Sequence, residues 1–368
     1  MTPPDVTILG AGIAGLACAL ACAQRGISVE ILEQAPVLTE VGAGLQIAPN
    51  GGRVLDALGV TVPAIASQAV HLIDGRSDRR LVRMPLGLGF RLIHRADLIQ
   101  SLARAAEAAG LPIHLGKQVA SIEENALTLV DGARHPFRRL IGADGVRGVS
   151  RDYVAPGHTP TFTGQVAWRA IVPVRPDWPP EAQVLVGPGR HLVCYPLRDG
   201  HSLNIVAVEE RSGWAAEGWN HPDDPANLHR AFAGYAAPVR ALLDKVDQVH
   251  LWGLMDHGLT PHWTRGAVTL IGDAAHPTLP FLAQGANLAL EDAWTLAASL
   301  DDPAAWEASR RARVSRALAA AKANAANYHV TGAKRFAAHA ALRLADKIRP
   351  SALAARYAWL YDHDVTVA

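Results

Sequence analysis

The sequence predicts a mixed α/β (α+β) fold of two lobes, with a discontinuous first domain, a second β-sheet domain inserted into it, and helices at the C-terminal end. The chain has 368 residues, more than the roughly 250 to 300 that a single hydrophobic core usually serves. Its start alternates strand, helix and strand. The apolar strand pattern of that region returns near Val268, after a long stretch rich in Val, Trp and Tyr.

Composition describes an ordinary soluble globular protein, with 49% hydrophobic residues, 19% charged residues and a formal net charge of +1. Because no long Lys/Arg run concentrates positive charge, we expect neither a nucleic-acid partner nor a membrane partner. The apolar run Val6 to Ala23 has no Lys or Arg before it, so we interpret it as part of the fold and not as a signal segment or membrane anchor. Three cysteines are too few for a disulfide framework, and a cytoplasmic location is expected.

The first element is a short apolar strand at Val6 to Leu9. An Ala- and Leu-rich helix follows at Ile13 to Arg25, and Ser28 to Leu32 is a second strand. This succession is a βαβ unit, which opens Rossmann-like dinucleotide-binding domains. The turn between the first strand and the helix contains three glycines, Gly10, Gly12 and Gly15.

The spacing G-x-G-x-x-G has a physical reason at each position. Gly10 allows the tight turn, Gly12 lets a pyrophosphate approach the backbone, and Gly15 lets helix and strand pack closely. Glu33 ends the second strand at about the distance expected for a carboxylate that receives ribose hydroxyls. The alternative is a glycine-rich turn beside a surface glutamate. The motif alone does not separate FAD from NAD.

The elements that follow are less regular. Val41 to Asn50 is rich in Gly and Pro and is predicted as a loop, before a helix around Gly52 to Leu58. Short apolar stretches broken by turn residues predict strands within Val70 to Met84. Ala96 to Ala109 is amphipathic and predicts a helix that ends at Gly110. Strand-like pieces follow around Ile113, Val119, Leu127 and Leu140.

The second lobe begins where longer strands are predicted, from Thr163 to Val208. Apolar strand residues return at Val268 to Ile271, and the chain is helical and Ala-rich from Asp301 to about Ala345. We therefore assign residues 1–67, 92–158 and 262–330 to the first domain, 68–91 and 159–261 to the second, and 331–368 to a C-terminal helical segment.

Two charged positions stand where a nucleotide could bind. Arg95 precedes a predicted helix, where a cation opposes the helix dipole by about 0.3 to 1 kcal/mol unless a phosphate is bound; a solvated arginine beside Asp97 is the alternative. Asp144 follows a buried strand and could hold ribose or pyrophosphate through water. Arg147 or Arg151 would then attract a second nucleotide. An isolated Asp-Gly turn is the alternative at that position.

A third acidic residue, Asp273, follows the strand Val268 to Ile271 at the carboxyl edge of the sheet, where ligands gather in open α/β folds. Its carboxylate could accept hydrogen bonds from a polyol chain such as flavin ribitol. The helix that begins near Gly285 directs backbone N–H groups at the same region, which suits the N1–C2=O edge of a flavin, anionic when reduced. His276, beside a proline, is interpreted as a packing residue in preference to an acid or base.

His191 and Tyr195 lie on a predicted strand, and their even spacing places both side chains on one face. If that face lines a pocket, the two could bind and deprotonate a phenol, since an unperturbed histidine titrates near pH 6.5 and accepts a proton near neutrality. Two amphipathic residues on a half-exposed sheet are the alternative. Cys18 and Cys22 lie four apart on the first helix, and we expect buried small residues there, not a metal or redox pair.

Together these motifs resemble the single-component FAD-dependent aromatic hydroxylases, the para-hydroxybenzoate hydroxylase family of group A flavoprotein monooxygenases. The nearest branch contains 3-hydroxybenzoate 6-hydroxylase, salicylate hydroxylase and 6-hydroxynicotinate 3-monooxygenase. Three blocks in the same order carry the resemblance: Gly10 to Gly15, Asp144-Gly145 and Gly272-Asp273. Further similarity lies in Gly42 to Asn50, His94 to Leu98 and Ala283 to Asp292. The resemblance spans nearly the whole chain.

The resemblance implies a discontinuous Rossmann-like FAD-binding domain and a bound FAD. It places cofactor contacts at Gly10, Gly12, Ala14, Gly15, Glu33, Gln34, Gln46, Arg95, Val119, Asp144, Asp273, Gly285, Ala286 and Asn287. It implies a substrate pocket at His191, Tyr195 and Phe281, with His191, Tyr195 and Pro280 as catalytic residues. No metal is expected. Phe281 stands where some relatives place a polar group, which leaves the ring chemistry of the substrate open.

The family chemistry implies that NAD(P)H reduces the flavin, that O2 adds to give a C4a-hydroperoxide, and that one oxygen atom passes to an activated aromatic ring. We therefore predict a monooxygenase of a small phenolic or heteroaromatic carboxylate, monomeric or homodimeric. Two alternatives remain open. One is an FAD monooxygenase of a larger substrate, by epoxidation or polyketide hydroxylation, and the other is a non-catalytic binding protein that keeps the nucleotide fold.

Overall fold

Two large sheets and a C-terminal group of helices organise the molecule. The structure, a computed structural model, describes residues 3–38, 44–175, 177–198, 200–213, 221–348 and 351–367. Its strands are β1 (Val6–Leu9), β2 (Val29–Leu32), β3 (Gly44–Ile47), β4 (Ala64–Ala66), β5 (Ala69–Asp74), β6 (Arg79–Pro85), β7 (Arg91–His94), β8 (Ile113–His114), β9 (Val119–Ile122), β10 (Ala126–Leu129), β11 (Arg134–Pro136), β12 (Leu140–Gly142), β13 (Thr161–Pro173), β14 (Ala182–Gly187), β15 (Arg190–Leu197), β16 (Ser202–Glu210), β17 (Pro222–Asp223), β18 (Val249–Asp256), β19 (Thr264–Arg265) and β20 (Val268–Leu270). Its helices are α1 (Ile13–Ala23), α2 (Pro49–Ala57), α3 (Arg95–Ala108), α4 (Val149–Val154), α5 (Pro225–Ala231), α6 (Ala237–Leu243), α7 (Gly285–Ala297), α8 (Pro303–Tyr328), α9 (Gly332–Ile348), α10 (Ser351–Ala355) and α11 (Ala358–Tyr361), with a 3₁₀ turn at Gly272–Ala274.

The first sheet has six strands in the order β19-β20-β12-β1-β2-β8. The five strands from β20 to β8 run parallel, and β19 adds an antiparallel edge. Helix α1 contacts the sheet, α3 and α7, and this burial on nearly every side explains why it contains no charged side chain. The predicted return of the first lobe is confirmed by β20, which pairs with β12; the limits of the domains stay a prediction.

The second sheet has eight strands in the order β17-β18-β13-β16-β15-β14-β5-β6. All neighbouring pairs are antiparallel except β14 and β5. One face packs on α5 and α6, where Leu192 and Cys194 meet Phe232 and Tyr235 in a common core. Because side chains alternate along a strand, the neighbouring residues of β15 point to the opposite face, toward the first lobe.

One predicted loop, Val41 to Asn50, is wrong from Gly44 onward, and its first three residues lie outside the described residues. Within Val41 to Asn50 the structure has strand β3, which pairs antiparallel with β7, and helix α2 begins at Pro49, three residues before its predicted start. The Gly- and Pro-rich composition indicates a loop, but β7 supplies a partner strand far along the chain, and tertiary pairing overrides local preference. Pro49 also suits the first turn of a helix, since it needs no N–H partner there. Gly42 and Ala43, part of the resemblance, lie outside the described residues.

The C-terminal helices cover the edge of the second sheet. Helix α9 runs beside β6. Among the contacts that hold it, Arg335 Nη2 donates to Asp74 Oδ1 at 2.5 Å, and Asp346 Oδ1 accepts from the Arg83 N–H at 2.9 Å. In the described ranges, no helix has the length and apolarity needed to cross a membrane.

Candidate active site

One cavity lies at the carboxyl ends of β1, β2 and β12 and has a volume of about 340 Å³. Its position is the one at which open α/β sheets bind ligands. Six of the residues predicted to contact a cofactor line it together: Gly10, Gly12, Glu33, Gln34, Val119 and Asp144. Ala11 and Lys117 line it as well.

The three glycines of the first turn occupy the places that their predicted roles require. Gly10 has φ +96°, and a Cβ there would lie 2.6 Å from the Ala143 carbonyl oxygen. A Cβ on Gly15 would overlap the Gly10 carbonyl oxygen. At Gly12, by contrast, a Cβ would meet no atom within 4 Å. The turn is therefore closed on the protein side and open toward the cavity.

Glu33 stabilises this turn through two hydrogen bonds. Its Oε2 accepts a hydrogen bond from the Ala11 N–H at 2.7 Å, and its Oε1 accepts from the Ala35 N–H at 2.8 Å. Each carboxylate oxygen has a second lone pair, so the predicted bond to ribose hydroxyls remains compatible with these contacts.

Asp144 also contacts the protein itself. Its carboxylate accepts from the Ser150 N–H at 3.0 Å and from the Ser150 hydroxyl, at the start of α4, and burial raises the pKa of the carboxyl. Arg151 is 2% exposed, and its Nη1 donates to the Ala274 carbonyl oxygen at 3.0 Å. The suggestion that Arg151 attracts a second nucleotide is therefore wrong, because its guanidinium is used to tie α4 to the loop after β20. Arg147 is exposed.

The start of α7 brings together a second predicted group, Asp273, Gly285, Ala286 and Asn287. Asp273 is exposed, and its Oδ1 would lie 4.0 Å from a Cβ on Gly285. Ala14 approaches the same turn from α1, since its Cβ would lie 3.1 Å from a Cβ on Gly272. The first N–H groups of α7 have no acceptor within the helix, and so this end of the helix can bind an anionic group. Arg95, half-buried, begins α3.

The Asn287 side chain has a structural role. Its Oδ1 accepts from the Ala48 N–H at 2.9 Å, while its Nδ2 donates to the carbonyl oxygens of Gln46, at 3.1 Å, and Ala283, at 2.6 Å. The amide thus fixes the end of β3 against α7. Because this side chain is used within the protein, Asn287 would bind a cofactor through its backbone N–H.

The second cavity lies between the two lobes and the C-terminal helices, with a volume of about 740 Å³. Four predicted residues line it: Gln46, His191, Pro280 and Phe281. Apolar residues of α9 and α10 form another wall, among them Ala338, Ala341, Leu342, Ala345 and Leu353. Neither helix contains a residue of the predicted site.

His191 and Tyr195 share one face of β15, as predicted, but lie in different surroundings. His191 and Val193 line the larger cavity, whereas Tyr195 packs beside Gly44 and Asn204 and is not among the described residues that line that cavity. Burial raises the pKa of the Tyr195 hydroxyl. The structure therefore brings His191, Pro280 and Phe281 together and leaves Tyr195 to one side.

His191 is buried, with 1% of its surface exposed, and is surrounded by aromatic rings. Its ring centroid lies 5.0 Å from that of Tyr328 and 5.7 Å from that of Phe281. Its Nδ1 lies 2.7 Å from His329 Nε2. Burial, together with the neighbouring His329, holds the pKa of His191 well below its usual value, and the ring is therefore neutral at pH 7.

The interpretation of His276 as a packing or hydrogen-bonding residue, and not an acid or base, agrees with its surroundings. It is 1% exposed, and its Nε2 lies 2.5 Å from Asp292 Oδ2. Asp292 also accepts from the Gly272 N–H at 3.0 Å and pairs with Arg310 at 2.8 Å. Burial by itself would raise the pKa of Asp292, but His276 and Arg310 lower it to about 2. This buried network fixes the turn that carries Asp273.

Arg310 is a site-supporting residue that the sequence analysis missed. It pairs with Glu291 at 2.7 Å as well as with Asp292, and all three side chains are at most 4% exposed. A signal for it exists in the sequence, since Arg310 falls on the buried stripe of α8 that contains Trp306, Val314, Ala317 and Ala321. A charge on such a stripe needs a buried partner.

Cys18 and Cys22 are buried free thiols, as expected. Among the described residues, no group of three or more His, Cys, Asp or Glu side chains could hold a metal ion.

Residues 4–323 of the chain match the family model described as FAD binding domain. The chain is 35% identical over 367 residues to the 3-hydroxybenzoate 6-hydroxylase of Polaromonas naphthalenivorans (strain CJ2), covering 91% of each protein. A salicylate hydroxylase substrate complex superposes with a TM-score of 0.81 at 26% identity, over 99% of this chain and 97% of that one. Klebsiella pneumoniae HpxO complexed with FAD and uric acid superposes with a TM-score of 0.79, also at 26% identity, over 93% and 94%.

Proposed function

We propose, from the premise that this chain belongs to the FAD binding domain family and is an FAD-dependent monooxygenase, that it hydroxylates a small phenolic or heteroaromatic carboxylate. NAD(P)H and O2 are the co-substrates. Support for the substrate class comes from the relative named as a 3-hydroxybenzoate 6-hydroxylase and from the structural neighbour named as a salicylate hydroxylase. We propose further that the enzyme acts in the cytoplasm, as a monomer or homodimer.

One observation carries this proposal, which is the buried base at the wall of the larger cavity. Among the described residues that line it, His191 is the only histidine. Because burial keeps the ring neutral, it offers a free lone pair to the proton of a phenol, and the resulting phenolate has a more electron-rich ring. The same burial disfavours the charged imidazolium, so the ring must give up its other proton as it accepts this one. Positioned bases of this kind contribute about 10² to 10⁴ in rate.

FAD fits the residues of the first cavity and the start of α7. Gly12 leaves open space where a pyrophosphate would approach the backbone, Glu33 presents carboxylate oxygens at the end of β2, and the first turn of α7 presents backbone N–H groups to an anionic edge. When bound, FAD supplies hydride acceptance from NAD(P)H and the activation of O2.

The residues around His191 prepare the substrate for that chemistry. The rings of Phe281 and Tyr328 flank the imidazole and exclude water, which strengthens the electrostatic interactions inside the site. Asn324 Nδ2 donates to the Phe281 carbonyl oxygen at 3.0 Å and to the Tyr328 hydroxyl at 2.9 Å. It therefore fixes both sides of this aromatic group relative to each other.

Arg356 is the residue that we assign to the substrate carboxylate. Of the described residues that line the larger cavity, it is the only arginine, and no lysine accompanies it. It is exposed, so it lies where the cavity meets solvent. A guanidinium binds a carboxylate through two parallel hydrogen bonds, which would orient the phenol end of the substrate toward the interior.

The size of the cavity favours a second candidate, hydroxylation of a larger aromatic substrate. A cavity of about 150 Å³ holds a benzene molecule, and this one, at about 740 Å³, has room for a flavin ring, a substrate ring and an apolar substituent. The Ala- and Leu-rich wall from α9 suits such a substituent. A series of hydroxybenzoates with longer alkyl chains tests this, with Ala341→Trp to fill the wall. Loss of turnover for the long-chain members alone would support the second candidate.

A screen of aromatic acids tests the main proposal. FAD-loaded protein is given each acid with NADH or NADPH, and cofactor oxidation is measured together with product mass, so that uncoupled oxidation is not scored as hydroxylation. The proposal predicts at least one hydroxybenzoate or hydroxypyridine carboxylate that gains one oxygen atom. If every acid in the panel leaves the reaction without a hydroxylated product, the proposal is wrong.

The role of His191 has its own test. His191→Gln should lower the rate of product formation by about 10² or more. Val193→Ala, which changes the same face of β15 at the same cavity, should retain most of the wild-type rate. FAD binding should be retained in both variants. Product formation by His191→Gln at the rate of Val193→Ala would contradict the assignment.

A further inference from the structure

We propose that His329 and Glu210 form a proton relay that connects His191, at the wall of the larger cavity, with solvent. The inference rests on the proposed function for its use in turnover. It answers a requirement of that function, because a proton that a buried histidine takes from a phenol needs a route to solvent.

The relay is a continuous chain of three side chains. His191 Nδ1 lies 2.7 Å from His329 Nε2, and His329 Nδ1 lies 2.8 Å from Glu210 Oε1. Gln165 Nε2 is 3.4 Å from the same His329 Nδ1, a longer and weaker contact than that of the carboxylate. His191 is on β15, Glu210 ends β16, and His329 follows α8. Three separate elements thus converge on one hydrogen-bonded path.

Exposure changes sharply along this path. His191 is 1% exposed, the side chain of His329 is 2% exposed, and the side chain of Glu210 is 54% exposed. Water therefore reaches the carboxylate but not the two rings. A proton that arrives at Glu210 can therefore pass to solvent without water reaching either ring.

Glu210 sets the direction of the hydrogen bonds. An ionised carboxylate only accepts, so His329 must donate from Nδ1 and keep a lone pair on Nε2. That lone pair accepts from His191 Nδ1–H, which leaves the lone pair of His191 on Nε2. A base at the cavity wall needs this tautomer. Burial lowers the pKa of both rings, although Glu210 acts to raise that of His329, so both start neutral.

The transfer balances at every atom. The phenol O–H bond breaks as an N–H bond forms at His191 Nε2. His191 then releases its Nδ1 proton to His329 Nε2, and His329 releases its Nδ1 proton to Glu210, which passes it to water. The result is one phenolate in the cavity and one proton in solvent, with both rings neutral in the opposite tautomer. Return of a proton to the product phenolate along the same path restores the starting tautomers.

The first test needs no substrate. Long-range ¹⁵N spectra of FAD-loaded protein labelled at histidine report which ring nitrogen carries the proton, and His191→Gln and His329→Gln assign the two signals by their loss. The relay predicts that both residues are neutral and protonated at Nδ1. A proton on Nε2 of either ring in the resting enzyme would overturn the proposal, whatever the outcome of the substrate screen.

The second test follows the proton itself. FAD-loaded protein is mixed rapidly with 3-hydroxybenzoate in weak buffer that contains a pH indicator, and phenolate absorbance and proton release are recorded together. Wild type should release one proton per phenolate formed. Glu210→Gln, which can still accept from His329 but cannot take up the proton, should slow both signals by about 10².

Glu209→Gln is the matched control, since it removes one carboxylate from the neighbouring position of β16. Glu209 pairs with Arg190 at 3.3 Å and with Arg211 at 3.3 Å. Arg190 also acts to lower the pKa of His329, but Glu209 is not one of the three relay side chains, and this variant should release protons at close to the wild-type rate. Equal rates in Glu210→Gln and wild type would refute the relay. If 3-hydroxybenzoate neither binds nor ionises, only the proposed function is weakened, because the tautomer measurement still decides the relay.

Discussion

Replacing Arg310 with Met should destabilise the protein, because it leaves the buried carboxylate of Asp292 without its arginine partner. Glu291 would keep Arg313, which bonds its two oxygens at 2.6 and 2.7 Å. Asp292, fully buried, would keep only His276 and the Gly272 N–H. Breaking a buried pair by removing one partner costs about 3 to 5 kcal/mol. Because His276 still compensates part of the charge, we expect the lower end of this range, about 3 kcal/mol.

The expected change in melting temperature follows from the size of the chain. Unfolding entropy is about 2.1 cal/mol/K per residue, or about 0.8 kcal/mol/K for 368 residues. A loss of about 3 kcal/mol then lowers the melting temperature by about 4 °C. Thermal unfolding of FAD-loaded protein, followed by far-UV circular dichroism, measures this directly.

Lys322→Met provides the control on the same helix. Lys322 pairs with Asp256 at 3.0 Å, but its side chain is 73% exposed, and exposed pairs contribute about 0 to 1 kcal/mol. The double variant Arg310→Met/Asp292→Asn removes the stranded charge and should melt above Arg310→Met alone. If Arg310→Met and Lys322→Met have the same melting temperature, or if the double variant melts below Arg310→Met, Arg310 does not stabilise the protein by compensating a buried carboxylate.

Three further predictions concern the cofactor turn, the acid limit and the substrate. Gly12→Leu should fold, because a Cβ at this position meets no protein atom within 4 Å, but its side chain would fill the space for the pyrophosphate and prevent FAD binding. Gly15→Ala should lower the melting temperature of the apoprotein, because its Cβ overlaps the Gly10 carbonyl oxygen. Equal melting temperatures of the two apoproteins would contradict this contrast. The pKa of Asp292 is lowered to about 2 from 3.8, which contributes on the order of 2 kcal/mol of stability that is fully present above about pH 4 and lost as the pH falls toward 2. Denaturant titrations at several pH values should show that Asp292→Asn loses less stability than wild type over this range. An equal loss in the two proteins would be evidence against this role of Asp292. Arg356→Met should raise KM for a hydroxybenzoate by roughly tenfold, because it loses a charged hydrogen bond of about 1.5 kcal/mol. KM for the matching phenol, which has no carboxylate, should be unchanged. Equal effects on the acid and the phenol would show that Arg356 does not bind the carboxylate.

The sequence predicts the cofactor side of the molecule well because the relevant signals are local. The turn from Gly10 to Gly15 is fixed by steric conflicts within a few residues and with one neighbouring strand, and these recur wherever a parallel strand meets a helix above a phosphate. Asp273 and Gly285 are also close in sequence, joined by one loop. Such short-range geometry is readable from spacing alone.

The substrate side depends on contacts between distant residues, which spacing does not reveal. Alternation along β15 correctly places His191 and Tyr195 on one face, but it says nothing of where along that face the cavity ends. His329 lies 138 positions from His191, and no periodicity connects them. The wall from α9 likewise depends on contacts between distant residues, among them Asp74 with Arg335, which fasten that helix to the second sheet.

The strand order of the first sheet has a consequence for synthesis of the chain on the ribosome. β1 pairs with β12 and β12 with β20, so the parallel sheet cannot be completed until residue 270 has emerged, and β13 to β18 of the second lobe lie within the connection that joins β12 to β20. The cost of closing such a loop grows only slowly with its length, but the search for non-local strand partners slows folding. The complete set of residues predicted to bind FAD, which includes Asp273 and Gly285, can therefore assemble only after most of the protein has been made.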